Sequence, residues 1–584
     1  MTALSPFQIL PMLIVEKVIE CLEGFPRNGF DADISRDVDG YNKAKRVKEL
    51  LWVSERWRVA AFSTICDNCE INFDNSSKGY SVRYPPFPAG FPFPQSRAEM
   101  LVKRVVVMVS SQCDICDEKS RCIHFRPNLK LPVFPSAATL MVCLDKDTTA
   151  SYDEQELTPK GVLGAKRKSI VTFARALRRL TPAATGLGIT FYSYSSADYL
   201  HGRLRNLLIS ELCCGTFTRL YAESLTGYPL LSFKLPVMSG LTSITHGFHS
   251  ACIPFAILAN RNAGTLQNLI LLPETENDWR ALIYGGTQTP VVYNSLTSLF
   301  LNFDSDLQEE SWAAIEDVVS FPALRKLDIV DNYPLDDDLL FRGNGRTLQS
   351  LTIPPNMVIR NTLRRFGVLE RSGVTRMDSI TIKYEFARYD ALVVGLDDDS
   401  IERQVHRMVE VATRFTLEDD TGDGHVFRAL FTAPRTATVQ HLKIRDPTLD
   451  DRDIIEIISA LPSLVSLTCT VLLPMPNIEA IPAREHPSSL LAEYHHLSGS
   501  FIKLALYKNE GDDENGNVVD LDGLAKEIAH IVVQLAVLCP NFRHVDNLKG
   551  MHKAFSREIA KAMTHQPYLP YADSLRRLIF PDYL

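Results

Sequence analysis

The sequence predicts an α/β chain in which a small amino-terminal helical unit precedes a long solenoid of strand-containing repeats. Two amphipathic segments separated by a polar loop open the chain, and beyond residue 100 one short apolar pattern returns at a regular spacing. The length of 584 residues is also too great for one ordinary hydrophobic core. These three observations favour one helical module followed by an extended array.

Composition indicates a folded protein of the cytoplasm or nucleus. The chain is 45% hydrophobic and 23% charged, and its net charge of −8 argues against nucleic acid as a main partner. No apolar run approaches the roughly 18–20 residues that span a bilayer, so no membrane partner is expected. The start MTALSPFQ lacks the basic region of a signal peptide, and 12 irregularly spaced cysteines suggest reduced thiols.

The helical unit is predicted at residues 5–65. Ser5 and Pro6 suit the start of a short turn, and Pro11 suits the first position of a new helix. The apolar face of that helix consists of Ile14, Val15, Val18, Ile19 and Leu22. Residues 23–42, rich in Gly, Asp and Asn, form an inserted loop. A second amphipathic helix at 44–62 then covers the first with Val47, Leu50, Leu51, Val53, Trp57 and Ala61.

These helices resemble an F-box, whose pattern is Leu-Pro, a helix, a spacer, and a helix pair ending in Val-x-x-x-Trp-Arg. Leu10-Pro11 and the stretch VSERWR at 53–58 provide its landmarks, and Met12 and Leu13 stand where family members carry acidic residues. The resemblance implies contact with a Skp-type adaptor through Leu10, Pro11, Met12, Leu13, Leu22, Val53 and Trp57.

The body of the chain carries the pattern apolar-x-x-apolar-x-apolar. Its clearest copies are LQNLIL (266–271), LTSLFL (296–301), LRKLDI (324–329), LQSLTI (348–353), MDSITI (377–382), VQHLKI (439–444), LVSLTC (464–469), FIKLAL (501–506) and LRRLIF (575–580). Weaker copies lie at 102–107, 138–142 and 542–547. The first five copies begin at 266, 296, 324, 348 and 377, at spacings of 30, 28, 24 and 29 residues.

This pattern resembles an irregular leucine-rich-repeat solenoid, predicted over residues 66–584. Each unit is a short strand plus a return segment that buries its apolar face only against its neighbours. A doubly wound α/β domain is the alternative. Acidic loop insertions are expected near 396–425 and 509–523, and turn asparagines at Asn332, Asn356 and Asn509.

The two resemblances together imply a substrate-recognition subunit of an SCF-type cullin–RING ubiquitin ligase, acting in ubiquitin-dependent protein degradation. The partners would be the Skp-type adaptor, the cullin and an unknown protein substrate, with no cofactor and no catalysis by this chain. The alternative function is a non-enzymatic protein-binding scaffold whose amino-terminal helices only cap the solenoid.

Strand alternation predicts a substrate-facing row on the concave surface of the solenoid. Its members are Asn268, Phe300, Lys326, Asp328, Thr352, Lys383, His441, Lys443 and Arg445.

One metal site needs consideration. Cys66, Cys69, Cys113 and Cys116 form two Cys-x-x-Cys pairs of the kind that bind zinc, but the 43 residues between the pairs favour buried structural thiols. No G-x-S-x-G or H-E-x-x-H motif suggests an enzyme.

Overall fold

The fold is taken from a computed structural model. It describes residues 57–58, 60–62, 66–73, 80–84, 95–109, 130–145, 171–192, 207–224, 235–247, 252–273, 276–285, 289–303, 321–331, 347–353, 374–383, 398–418, 425–471, 487, 489, 491, 494, 500–506, 521–546, 548 and 551–579. The chain divides into two compact units, Met1–Val291 and Val292–Leu584.

The first unit contains eight strands within its described residues. They are β1 (Asn68–Phe73), β2 (Tyr80–Arg83), β3 (Arg104–Val109), β4 (Thr139–Asp145), β5 (Gly186–Tyr192), β6 (Arg219–Ser224), β7 (Ser243–Gly247) and β8 (Asn268–Leu271). Its helices are α1 (Gln95–Leu101), α2 (171–180), α3 (207–213), α4 (Cys252–Arg261) and α5 (Glu276–Tyr284). Residues 57, 58 and 60–62 are helical as well.

The second unit contains nine strands in the part that the structure describes. They are β9 (Ser298–Phe303), β10 (Lys326–Asp331), β11 (Ser350–Ile353), β12 (Met377–Ile382), β13 (Ala412–Leu417), β14 (His441–Leu449), β15 (Ser466–Val471), β16 (Lys503–Leu506) and β17 (His544–Asp546). Its helices are α6 (Asp398–Val411), α7 (His425–Arg428), α8 (Asp451–Ala460), α9 (Leu521–Leu538), α10 (His552–Thr564) and α11 (Ala572–Ile579), with a 3₁₀ helix at Gln566–Tyr571.

Strand order follows chain order from β3 to β8 and from β9 to β17, and β1 lies between β2 and β3. In the first unit β1 pairs antiparallel with β2 and parallel with β3, and each strand from β3 to β8 pairs parallel with the next. In the second unit β9 to β17 pair in sequence, all parallel. A doubly wound sheet reverses its order at a switch point, and neither unit does so. The linear, mostly parallel order excludes that alternative within each unit and is compatible with a solenoid.

One register aligns the apolar residues of the second unit. Each strand from β9 to β16 has two alternating core positions, and the residues at the first of them are aligned in one column. These residues are Leu299, Leu327, Leu351, Ile380, Phe415, Leu442, Leu467 and Leu504. All eight are buried, with Leu327 at 0% and Leu351 at 2% exposure. Full burial of one such side chain stabilises the fold by roughly 1.5–3 kcal/mol, so the column is a main source of stability.

The same hydrogen bond pattern joins neighbouring repeats in both units. Before most strands, two successive backbone N–H groups donate to one carbonyl oxygen of the preceding repeat. Arg325 and Lys326 both donate to Thr297 O at 2.9 Å. In the first unit Lys103 and Arg104 donate in the same way to Asp67 O, also at 2.9 Å. This repeated contact fixes where each strand begins relative to its neighbour.

Most copies of the hexapeptide pattern form strands, as predicted. The eight copies between 266 and 506 contain β8 to β12 and β14 to β16, and the three weaker copies contain β3, β4 and β17. The strand predicted at 575–580 is wrong, because residues 572–579 form helix α11. Leu575 and Leu578 are three residues apart, which suits one face of a helix, and both are buried.

The acidic insertion predicted near 396–425 is also corrected. Asp398–Val411 is helix α6 and Ala412–Leu417 is strand β13, so most of this stretch is a complete repeat. In the second predicted insertion, 509–523, helix α9 begins at Leu521, and residues 509–520 lie outside the described chain.

A buried asparagine links two repeats in the first unit. Asn262 is 3% exposed, and its side-chain amide donates to Met238 O at 3.0 Å and Leu258 O at 2.8 Å. Its side-chain oxygen accepts from the Leu241 N–H at 3.1 Å. Asn262 therefore satisfies buried turn groups in the way predicted for other asparagines. Those predicted residues lie outside the described chain: Asn332, Asn356 and Asn509.

Helices α8 and α9 are joined by a polar contact. A capping box begins α8, where Asp450 accepts from the Asp453 N–H at 2.8 Å and the reciprocal bond is present. The next residue, Asp451, lies 3.5 Å from the Nε2 atom of buried His530 and accepts from the Gln534 amide at 3.4 Å. The hydrogen bond to His530 is the largest influence on Asp451 and lowers the pKa of its carboxyl.

Helix α9 is buried on most of its circumference, from Leu524 to Leu538. Among the described residues, no helix has both the length and the apolar character needed to cross a membrane.

Replacing Leu351 by Ala should lower the free energy of unfolding by about 2–5 kcal/mol, because it leaves a cavity in the buried column. Denaturant unfolding of the full chain measures the change. Gln349→Ala, at an exposed side chain two residues earlier, is the control and should cost less than about 0.5 kcal/mol. A loss of under about 1 kcal/mol for Leu351→Ala would show that the register is wrong.

Asp451→Asn should destabilise the chain by about 1–2 kcal/mol at neutral pH, because the charged acceptor for His530 and Gln534 is lost. A lowered folded pKa means that this stability is fully present above the unfolded value of about 3.9. It disappears as the pH falls through the folded pKa, so the difference between variant and wild type should shrink below about pH 4.

Urea unfolding at a series of pH values measures that difference. The control is Asp573→Asn, because the Asp573 side chain is 85% exposed and pairs only with Arg576 in the same helix. It should change stability little at any pH. A gap between Asp451→Asn and wild type that stayed constant down to about pH 2 would contradict the assigned role of the Asp451 charge.

Candidate functional site

The candidate site is the polar face of the second unit's sheet, on the side opposite the buried column. Alternation along each strand puts two rows of polar side chains there. The first row is Ser298, Lys326, Ser350, Ser379, Arg414, His441, Ser466, Lys503 and His544. The second row is Phe300, Asp328, Thr352, Thr381, Thr416, Lys443, Thr468, Ala505 and Asp546.

Hydroxyl groups dominate the middle of this face. Thr352, Thr381 and Thr416 are neighbours in register on β11, β12 and β13. The Ser350 and Ser379 hydroxyls lie 2.8 Å apart, close enough for a hydrogen bond. Threonine packs well on a pleated surface and leaves its hydroxyl accessible, so these strands offer donors and acceptors without bulky side chains.

Acidic residues neutralise part of the charge on this face. The Lys326 ammonium lies 2.6 Å from Asp328, and the Lys443 ammonium lies 3.3 Å from Glu418. Lys503 pairs in the same manner with Asp546. Charge on the outer strands is therefore largely balanced.

The centre of the face keeps an excess of positive charge. Arg414 on β13 and Arg445 on β14 are both exposed, and neither forms an ion pair within the described ranges. With Lys383 and Lys443 they form a group of four cations at β12 to β14, in which Lys443 pairs with Glu418. We call these four cations the basic patch.

His441 lies beside Arg414 in register and is within hydrogen bond distance of the Ser466 hydroxyl, at 2.8 Å. Partial burial, and to a lesser extent the positive charge of Arg414, lower the pKa of His441. The imidazole is therefore neutral at physiological pH and adds a hydrogen bonding group to the face without adding charge.

The structure places the row predicted from sequence as follows. Phe300, Asp328, Thr352 and Lys443 share the second row, and Lys326 and His441 lie in the first. Lys383 and Arg445 lie outside both rows, two residues after the second-row residues Thr381 and Lys443. Asn268 is exposed on β8 of the first unit.

Asp328 departs from its expected role as a ligand-facing residue. It is only 9% exposed, pairs with Lys326 and accepts a 2.7 Å hydrogen bond from the Thr352 hydroxyl. Both of these neighbours satisfy its carboxylate, so Asp328 serves the face as a structural acceptor.

Sequence inspection missed Arg414 and Thr416, because their strand does not carry the full hexapeptide pattern. The available signal was the alternation Phe415-x-Leu417 after an amphipathic helix.

The equivalent face of the first unit has a different character. Met141, Cys143, Thr190 and Tyr221 occupy its alternate positions and are at most 3% exposed. Arg104 and Arg219 on this face are only partly exposed, whereas Arg414 and Arg445 of the second unit are exposed beside a row of hydroxyls. A binding site is therefore better placed on the second unit.

Most of the predicted adaptor-contacting residues lie outside the described chain: Leu10, Pro11, Met12, Leu13, Leu22 and Val53. Trp57 is described and is 5% exposed, beside buried Ala60, Ala61 and Phe62. Trp57 therefore contributes to a core.

The cysteine pairs are described only in part. Cys66 and Cys69 are buried free thiols, and Cys113 and Cys116 lie outside the described residues. Burial raises the pKa of Cys66 to about 12 and also raises the pKa of Cys69, so both are protonated at neutral pH. Within the described ranges no three His, Cys, Asp or Glu side chains are grouped as a metal site requires.

Comparison with known proteins finds no family model that matches the chain, and no curated protein matches it significantly.

Proposed function

We propose that the chain is the substrate-recognition subunit of an SCF-type cullin–RING ubiquitin ligase. In this proposal the amino-terminal helices are an F-box that binds a Skp-type adaptor, and the repeats are an irregular leucine-rich-repeat solenoid that binds a protein substrate. The chain itself catalyses nothing and needs no cofactor. The observation that carries the substrate-binding part is the polar face of the second unit, with its exposed cations and hydroxyl rows.

The polar face supports protein binding for three physical reasons. Parallel strands at one register form a continuous surface, so side chains from several strands can contact one partner together. Hydroxyl and imidazole groups satisfy the polar backbone of a bound segment. Arg414 and Arg445 supply charged groups with rigid, multidentate geometry.

Support for the ligase part comes from the F-box landmarks in the sequence. Leu10, Pro11, Met12 and Leu13 are four consecutive apolar residues at the Leu-Pro landmark, where an F-box contacts its adaptor. In this proposal Trp57 braces the adaptor-binding helices from within, in keeping with its burial.

A protein-binding scaffold without adaptor is the second candidate, and the burial of Trp57 favours it. A residue that contacts an adaptor is partly exposed before binding, whereas a residue in a capping helix is buried. The substrate-binding face has the same role in both candidates, so adaptor binding alone separates them.

Purified full-length chain should bind the Skp-type adaptor with micromolar affinity or better, and should co-purify with adaptor and cullin. The double change Leu10→Ala with Pro11→Ala should weaken adaptor binding by about tenfold or more, because interface anchors carry most of the binding energy. Calorimetry or surface plasmon resonance with purified adaptor measures both values.

Arg414→Gln is the matched control, because it changes the polar face and should leave adaptor binding unchanged. If the intact chain does not bind the adaptor at micromolar concentration, the ligase proposal is wrong and the scaffold takes its place. Equal binding by wild type and the Leu10/Pro11 variant would likewise show that the helices are not an F-box.

A further inference from the structure

The two arginines of the basic patch supply charge that the described residues do not neutralise. Arg414 and Arg445 have exposed guanidinium groups without an ion pair in the described part of the chain. Lys443 lies between them along β14, and Glu418 already contacts it. Within the described residues, Arg414 and Arg445 therefore carry two positive charges that no acidic side chain neutralises, on a chain whose net charge is −8.

The register fixes the distance between the two arginines. Arg414 is opposite His441, and Arg445 follows His441 by four residues on the same strand. At about 3.3 Å per residue along a strand and about 4.8 Å between strands, the two Cα atoms are about 14 Å apart.

An extended peptide has a matching repeat. Side chains at positions i and i+4 of a strand project to the same side and are about 13 Å apart. Side chains at i and i+3 project to opposite sides, so that pair cannot reach both arginines from one extended segment.

We propose that the polar face binds an extended, acidic protein segment in which two carboxylates four residues apart contact Arg414 and Arg445. The carboxylates accept charge-assisted hydrogen bonds from the two guanidinium groups. The hydroxyl of Thr416 on the same strand as Arg414, and those of Thr381 and Thr468 on the flanking strands β12 and β15, contact the backbone of the segment. This inference rests on the proposed function and names the chemistry of the substrate.

Carboxylates suit the site better than nucleic acid does. A nucleic acid site needs a broad basic surface to neutralise many phosphates, and here the cations beyond the patch, Lys326 and Lys503, are already paired with acids. The neutral imidazole of His441 also keeps the local charge modest. A short segment with two acidic side chains matches two unpaired arginines in number and in spacing.

The test uses fluorescein-labelled synthetic peptides and the full-length chain in fluorescence anisotropy at low and physiological salt. One peptide has a Ser/Thr/Gly background with Glu at positions i and i+4. Comparison peptides carry Glu at i and i+3, Gln at i and i+4, or phosphoserine at i and i+4. A labelled single-stranded oligonucleotide of similar length completes the set.

The i, i+4 Glu peptide should bind about tenfold more tightly than the i, i+3 and Gln peptides, since each lacks one or both charge-assisted contacts. Arg414→Gln and Arg445→Gln should each reduce its affinity, and together they should abolish the preference for the i, i+4 spacing. Arg452→Gln, at an exposed arginine on helix α8 away from the face, is the matched control and should change nothing.

Each result decides the matter. Equal affinity for the i, i+3 and i, i+4 peptides would overturn the spacing, and binding of the phosphoserine peptide alone would overturn the assignment to carboxylates. Tighter binding of the oligonucleotide than of any peptide would assign the face to nucleic acid. All variants should keep the wild-type unfolding transition, which separates loss of binding from loss of fold.

The peptide experiment needs no adaptor, so its outcome does not depend on whether the proposed ligase role is correct. A chain that binds adaptor but not the acidic peptide overturns this inference alone. A chain that binds the peptide but not the adaptor overturns the ligase proposal and leaves the acidic segment as the ligand of a scaffold.

Discussion

The parallel register between successive repeats is the constraint on which the rest of the structure depends. In both units it is set where two N–H groups donate to one carbonyl of the preceding repeat, as Arg325 and Lys326 do to Thr297. A slip by one residue would turn the Leu327 column outwards and bury the polar rows. Because burial of the leucines strongly opposes that slip, the same interaction that holds the core also positions Arg414 and Lys443 on the surface.

The sequence predicted the second unit's strands where leucine or isoleucine occupies both core positions, as in Leu351 and Ile353. Several strands were missed, and two of them hold an unusual residue at a core position. Strand β13 uses Phe415, and β7 in the first unit places buried His246 in its apolar column, so neither was recognised. At 575–580 the error was the reverse. Leucines three residues apart satisfy a helix as well as the start of the pattern, and here Leu575 and Leu578 are buried on one face of α11.

The candidate site was predictable as a face but not as a set of contacts. Strand alternation alone places Thr352 and Lys443 on one side of the sheet. Whether a charged side chain on that side is available to a ligand depends on its partners on neighbouring strands. The sequence does not show which residues of neighbouring strands lie in register. Asp328 is occupied by Lys326 and by Thr352 from the next strand, whereas Arg414 has no acidic neighbour in register. The most useful residue of the site therefore lies on the strand that the pattern missed.

The two units show that the backbone hydrogen bonds between successive repeats do not by themselves create a binding surface. Both share the paired N–H contact and the buried column, yet the alternate positions hold Met141 and Tyr221 in the first unit and Thr381 and Lys443 in the second. Those positions contribute little to strand pairing, because the backbone makes the hydrogen bonds and the column supplies the burial. They are consequently free to vary without loss of fold. Where they are apolar the face is buried, and where they are hydroxyl or basic it stays open to a partner, which is why the acidic ligand is assigned to the second unit.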